Sequence, residues 1–343
     1  MVNRITSGWR FITITVYFLV SLLNPPVAIT AVVPVHNRAD LLARLLRSIA
    51  SQTMPFTETI VVDNASSDGA GDVAKNCGCR VIQMGENAGF ARAVNRGWQA
   101  AAEGWIAILN SDVELDSRWL EHLIAEASGA SFATGLILNA GNRHVMDGTY
   151  DLVSRAGCAW RAGHGEPGPT AGGASKPIAI APATACLFRR EVLEQLGGLN
   201  EAYESYLEDV DLGLRCVGGG FTGVYVPSAM AWHEGSATFG RWNPRVVRLI
   251  SRNQLLLVSN NYDSTLLRAW FWPVLAGQLL WGMVALRHGA GRAWLAGKID
   301  GLRGFHTGGT YSEPVRRFLE ASEQEIATRS TDSYWRWYFR LTR

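Results

Sequence analysis

The five cysteines (Cys77, Cys79, Cys158, Cys186 and Cys216) are odd in number, scattered, and form no Cys-x-x-Cys pair. Their placement excludes a zinc finger and reads as reduced thiols rather than a disulfide framework. No Gly-x-Gly-x-x-Gly turn follows the first predicted strand, where the chain reads Pro34-Val35-His36-Asn37-Arg38. A dinucleotide dehydrogenase is therefore set aside, and the same place argues against a nucleotidyltransferase, which would need a glycine-rich phosphate loop there. Charge is sparse, at 18% of residues, but hydrophobic residues reach 48%, ample for a core and contrary to overall disorder. No internal repeat is visible.

Long apolar runs are also few. Phe11 to Leu23 is 13 residues, too short to span a bilayer comfortably, and follows Arg4 and Arg10 like a signal h-region without a clear cleavage site. Positions 269–286 hold 18 residues without charge, near the lower limit for a span, but include Pro273, Gly277, Gln278 and Gly282. The favoured expectation there is a helix lying in the membrane interface, with a span as the alternative.

The net charge of +2 hides an asymmetry. Residues 1–240 carry 17 basic and 23 acidic side chains, whereas residues 241–343 carry 15 and 7. The second part also holds seven of the 13 tryptophans. Basic charge mixed with Trp and Leu points to an anionic membrane surface rather than nucleic acid, the plain alternative being a basic helical face. Three parts follow: an apolar extension at 1–26, an α/β domain at 27–242, and a helical, basic, aromatic region at 243–343.

Within 27–242 short apolar strands alternate with amphipathic helices. Strands are expected at 27–35, 58–62, 80–83, 105–109, 178–188 and 223–227. Helices are expected at 38–51, 71–76, 90–102, 118–127, 190–195 and 206–216. This alternation predicts an α/β fold, a mainly parallel sheet with helices on both faces. Residues 141–177, rich in Gly, Ala, Ser and Pro, read as a long functional or mobile loop. Beyond 243, helices are expected at 246–259 and 265–286.

The organising stretch is Ile106–Leu115. An apolar strand runs into Asn110, Ser111, Asp112 and Glu114, which places carboxylates at the carboxyl edge of the sheet, where open α/β sheets bind ligands. A carboxylate there can hold a hard divalent cation and, through it, phosphates. The same residues are also good helix N-caps. Asp63-Asn64 ends another strand, Glu208-Asp209-Asp211 opens a helix, and His233 follows the last strand. Each has a structural alternative: an Asx turn, acids favoured by the helix dipole, or a half-buried histidine.

The motifs Val32-Val-Pro34-Val-His36-Asn37-Arg38, Val61-Val-Asp63-Asn64-Ala-Ser-Ser-Asp68-Gly69, Asn87-Ala-Gly89-Phe90-Ala-Arg92, Leu109-Asn110-Ser-Asp112 and Glu208-Asp209-Val-Asp211-Leu212 occur in one order. Over roughly residues 28–240 the sequence resembles the family 2 glycosyltransferases, most closely their bacterial rhamnosyltransferase-like branch. Arg252-Asn253 in the tail also looks like that branch. The resemblance implies a GT-A fold and inverting transfer of a sugar from a UDP- or dTDP-sugar to a hydroxyl of a glycan or lipid-linked acceptor. It implies a protein peripheral to, or anchored at, the cytoplasmic face of the bacterial inner membrane.

It also implies roles. Pro34, Val35, His36, Asn37, Asp63, Asn64, Asn87, Gly89, Arg92, Asn110 and Ser111 would bind the nucleotide. Asp112 and His233 would hold Mg²⁺ or Mn²⁺. Asp209 would be the general base, with Glu208 beside it. Tyr203, Tyr206 and Asp211 would stand on the acceptor side. Three departures from the family pattern stand out: Asn110 replaces the first Asp of an Asp-x-Asp pair, His36 stands where Tyr is frequent, and Asn200 replaces an Asp. A non-catalytic sugar-nucleotide-binding or scaffold protein remains the rival reading, with a nucleotidyltransferase behind it.

Overall fold

The computed structural model describes residues 28–343 except 103, 170–172, 236–241, 307, 310 and 311, so the apolar run at 11–23 lies outside the described residues. The first half alternates as expected except for β5, a short strand not foreseen: β1 (Ile29–Val35), α1 (Ala39–Ala50), β2 (Glu58–Asp63), α2 (Ala70–Asn76), β3 (Arg80–Gln83), α3 (Phe90–Ala100), β4 (Trp105–Leu109), β5 (Val113–Leu115) and α4 (Trp119–Glu126). Then come β6 (Phe132–Asn139), β7 (Met146–Gly148), β8 (Asp151–Val153), β9 (Ala159–Arg161), β10 (Lys176–Ile178), β11 (Ala185–Arg189) and α5 (Arg190–Leu196). A 3-10 turn at Glu201–Tyr203 leads to α6 (Glu208–Gly218) and β12 (Gly223–His233). Six helices close the chain: α7 (Pro244–Asn261), α8 (Ser264–Ala269), α9 (Phe271–Arg287), α10 (Gly291–Arg303), α11 (Glu313–Arg329) and α12 (Ser333–Thr342).

The main sheet runs β10-β12-β6-β11-β4-β1-β2-β3, with β5 added to β12 and β7 to β6. Strands β4, β1, β2 and β3 are mutually parallel, and β11 runs antiparallel between β4 and β6. Side-chain alternation along the central strands gives the sheet two buried faces. Val32, Ile106 and Ile108 pack with Ala91, Val94 and Trp98 of α3. Ala31, Val33, Val35, Ala107 and Leu109 pack with Leu42, Leu45 and Leu46 of α1 and Trp119 and Leu120 of α4.

The boundaries that differ have local causes. The strand expected at 178–188 is divided between β10, at the edge of the sheet beside β12, and β11, between β4 and β6, with Pro182 in the connection. The strand expected to end at Pro227 instead runs on to His233, the register to β6 shifting between Val226 and Met230 so that the proline falls at an irregularity. The helix expected at 265–286 breaks at Trp270, and Pro273 falls in the first turn of α9, where its missing N–H costs nothing. The 141–177 segment is not one loop: β8 and β9 pair as a hairpin and β7 extends the main sheet. Among the described residues no helix is long and apolar enough to cross a membrane.

The C-terminal helices share the core of the α/β part. Ile326 of α11 and Trp335, Tyr338 and Phe339 of α12 join the cluster that contains Val32 and Ile108. Glu323 of α11 accepts from the backbone N–H of Arg155 at 2.8 Å and from its Nε at 2.7 Å. The five cysteines are free.

Candidate active site

Strand pairing sets the centre of the site. His233, at the end of β12, pairs with Val113 of β5, and the Glu234 N–H donates to the Asp112 carbonyl at 3.1 Å. That register brings His233 Nε2 within 3.3 Å of Asp112 Oδ1. The other ring nitrogen, Nδ1, lies 2.8 Å from Asp147 Oδ2 on β7. Burial works against a charged imidazole here, but the bonds to Asp112 and Asp147 outweigh it and push His233 up to about 9.

Arg161, on β9, continues this chain of charges. It forks onto Asp151 of the paired strand at 2.9 and 3.0 Å, and stands 3.9 Å from Asp147 and 4.0 Å from Asp209. Gly148 makes room for it: a Cβ there would fall 2.2 Å from Arg161 Cδ. Asp209, in the first turn of α6, accepts from the Ala183 N–H at 3.1 Å, and the neighbouring Thr184 carbonyl accepts from the Asn110 N–H at 2.9 Å. An unbroken series of ion pairs therefore runs Asp112–His233–Asp147–Arg161–Asp209. Burial and the nearby Asp151 raise Asp209, which Arg161 only partly offsets. Glu208 is raised further, by burial first and by Asp209 second, and its Oε2 is buried without a hydrogen-bond partner. The Asn110 Oδ1 is buried and partnerless as well.

A second cluster occupies the carboxyl ends of β1 and β2. Asp63 is buried and accepts from the Ser66 N–H at 2.8 Å. Asn64 donates to Asn87 Oδ1 at 3.0 Å and to the Gly89 carbonyl at 3.1 Å, and accepts from the Ala88 N–H. His36 Nδ1 lies 2.9 Å from the Asn64 carbonyl, and the Asn37 side chain accepts from the Ser67 N–H at 2.9 Å. Gly89 has φ 87°, and a Cβ there would lie 2.8 Å from the Glu204 carbonyl oxygen, so only glycine lets this turn meet the 204–207 loop.

That loop is strained. Glu204, Tyr206 and Leu207 all have positive φ, between 60° and 72°. Two neighbours on α7 hold it. Asn253 Nδ2 approaches the carbonyls of Tyr203, Ser205 and Tyr206 at 2.8–2.9 Å. Arg252 donates to the carbonyls of Ala202 and Tyr203 and to Glu204 Oε1.

The sequence model of "Glycosyl transferase family 2" matches residues 30–197. An N-acetylglucosaminyl-diphospho-decaprenol L-rhamnosyltransferase of Mycobacterium tuberculosis is 30% identical over 249 residues, which cover 63% of this chain and 78% of that protein. The chain belongs to glycosyl transferase family 2. A pre-mycofactocin glycosyltransferase of the same organism is 27% identical over 63% of this chain, although this chain covers only 45% of it. Among solved structures, GalNAc-T7 with UDP, GalNAc and Mn²⁺ superposes with a TM-score of 0.61 at 15% identity, covering 88% of this chain and 58% of that one. The mannosyltransferase PcManGT from Pyrobaculum calidifontis, with GDP-Man and Mn²⁺, gives 0.51 at 15% identity, covering 98% and 93%. The fold is GT-A, and the protein is a glycosyltransferase.

Several residues of this glycosyltransferase stand elsewhere than the sequence suggested. Tyr203 is fully buried, its hydroxyl donating to Asp211 Oδ1 at 3.1 Å, and Asp211 is itself paired with Arg215 at 2.8 Å. Both are core residues that brace α6 and present nothing to an acceptor. Tyr206 stays partly exposed. Val35 is a core side chain and Pro34 is buried in β1, which leaves them only backbone to offer a nucleotide. Arg92 pairs with Glu201 at 2.9 Å, and its side chain stays exposed. Asn200 caps the 3-10 turn by accepting from the Ala202 N–H, a task that needs no charge. Asp147 and Arg161 escaped the sequence reading because they lie in the segment taken for a loop.

The residues present fit a divalent cation. Asp112 and His233 give one carboxylate and one imidazole, side by side, with the second imidazole nitrogen fixed by a carboxylate, the usual outer support of a ligating histidine. Among the described residues no group of three or more such side chains could hold an ion alone. Two ligands suit a cation that also takes substrate phosphates.

Proposed function

We propose that this glycosyltransferase inverts the anomeric centre of a UDP- or dTDP-sugar and transfers it to a hydroxyl of a glycan or lipid-linked acceptor in polysaccharide or cell-wall assembly. The relative that acts, by its name, on a decaprenol-linked diphosphosugar supports a lipid-linked acceptor and work at a membrane, which we place at its cytoplasmic face. The observation that carries the reading is the series joining Asp112 and His233 to Asp209 through Asp147 and Arg161. That series supports a reading in which Asp112 and His233 face the diphosphate and the buried Asp209 stands at the other end.

In this mechanism Asp63, Asn64 and their neighbours take the base and ribose, with Asn110 and Ser111 on the ribose side. Asp112 and His233 would hold Mg²⁺ or Mn²⁺, which supplies Lewis-acid stabilisation of the charge on the departing nucleoside diphosphate. Asp209 takes the proton of the acceptor hydroxyl as its oxygen attacks the anomeric carbon and the bond to the diphosphate breaks. With one base and no enzyme nucleophile, a single displacement inverts the centre. Burial raises Asp209 toward the working pH, which suits a base. The partnerless Glu208 Oε2 favours a second reading in which Glu208 is the base.

The test is a titration of the purified protein with UDP and dTDP, each with Mn²⁺, Mg²⁺ or EDTA. Metal-dependent binding of one nucleotide is the expected outcome. A folded protein that binds neither would move a non-catalytic role to the front.

A further inference from the structure

Among the described residues, twelve large apolar side chains are left exposed, and eleven of them lie on α9, α10 and α12. On α9 every exposed position from Phe271 to Leu286 is apolar: Phe271, Trp272, Leu275, Leu279, Met283 and Leu286. Their spacing of three to four residues lays them along one face of the helix. Leu295, Ile299 and Leu302 repeat the spacing on α10, and Trp337 and Leu341 on α12. The helices are tied together: Trp272 Nε1 donates to the Leu341 carbonyl at 2.7 Å, and Lys298 of α10 donates to Gln278 of α9.

The same three helices and their ends also carry arginines. Arg287, Arg292, Arg303, Arg336, Arg340 and Arg343 are all exposed. The one acid on the three helices is Asp300, which is bound by Arg248 at 2.6 Å. At 1.5 Å per residue α9 is about 25 Å long, short of the roughly 30 Å of a bilayer core.

We propose that α9, α10 and α12 form one platform that lies in the plane of an anionic phospholipid surface, with the apolar residues in the acyl boundary and the arginines on the head groups. The charge argues for this occupant. A second copy would set these arginines against their own like, whereas anionic head groups match them. Trp272 and Trp337 suit the boundary, where an indole is half apolar and half polar. The proposal deepens the membrane placement proposed above and is independent of the transfer reaction.

The experiment is co-sedimentation of the full-length protein with phosphatidylcholine vesicles, with and without phosphatidylglycerol, beside a nucleotide titration of the same samples. Binding about tenfold stronger to the anionic vesicles is expected, and about tenfold weaker for Leu279→Glu/Met283→Glu with nucleotide affinity unchanged. Arg336→Glu/Arg340→Glu, which leaves the apolar face intact, should lose only the phosphatidylglycerol dependence and serves if the first variant misfolds. Unaltered sedimentation of both variants overturns the platform. So does loss only with Val16→Glu/Leu19→Glu in the apolar run at 11–23, or a dimer in solution that Leu279→Glu/Met283→Glu dissociates. Retained vesicle binding without nucleotide binding would instead count against the catalytic reading alone.

Discussion

His233 Nδ1 stands 2.8 Å from Asp147 Oδ2, so the imidazole that faces Asp112 is aimed from behind by a carboxylate on β7, a strand paired with β6 rather than with β12 itself. Asp147 is itself held low: burial opposes its charge, but His233 and then Arg161 more than compensate. A fixed ring loses little freedom when a ligand arrives. Asp147→Asn should therefore weaken Mn²⁺-dependent nucleotide binding about 10- to 100-fold while binding in EDTA stays the same. Calorimetry with and without Mn²⁺ checks it; equal affinity in the variant would mean that His233 needs no support.

Asp209→Asn should abolish sugar transfer and leave nucleotide affinity nearly intact, since its oxygens meet the Ala183 N–H and Arg161 rather than the β1–β2 end of the site. Glu208→Gln should keep measurable turnover. Loss of a general base costs roughly 10²–10⁴ in rate. Single-turnover transfer rates for the two variants decide between the carboxylates: the reverse pattern would assign the base to Glu208.

The parallel half of this fold was legible in the sequence because each element there carries its own signal. The run Trp105–Leu109 ends at Asn110, and the leucines of α1 fall at helical spacing, so strand and helix needed no tertiary help. His233 was readable as a residue after a strand, but not its meeting with Asp112, which depends on β12 passing Pro227 and on a three-residue strand, β5. Asp147 and Arg161 were illegible for a similar reason. β7, β8 and β9 are three residues each, and short strands in Gly-rich sequence have no periodicity to read. Tyr203 and Asp211 misled in the other direction. Their types suit a sugar site, but only packing shows that they bond each other beneath α6.

Asn253 holds the 204–207 loop, in which three non-glycine residues sit at positive φ immediately before the Glu208-Asp209 pair. Asn253→Ala leaves the carbonyls of Tyr203, Ser205 and Tyr206 without that donor and frees the strain to relax. A stability loss of about 1–3 kcal/mol is expected, with a fall in kcat exceeding any change in KM for the donor. Chemical denaturation and steady-state kinetics read the two effects. Unchanged kcat in a destabilised variant would confine Asn253 to folding.

Lys298 gives a pH test of the helical region. Its Nζ donates to the Ser251 carbonyl at 2.8 Å, to Gln254 Oε1 at 2.9 Å and to Gln278 Oε1, all uncharged. Burial pushes it down to about 7. In the unfolded chain the amine keeps a proton up to about 10.4. Between those values the unfolded state binds the extra proton, so stability rises with pH, by up to about 1.4 kcal/mol per unit, and flattens below about 7 where both states are protonated. Lys298→Met removes this dependence. The stability of the wild type relative to Lys298→Met should climb from pH 7 to pH 10 in denaturation series; a difference constant over that range would show that the lysine stays charged in the fold, held by its three oxygens.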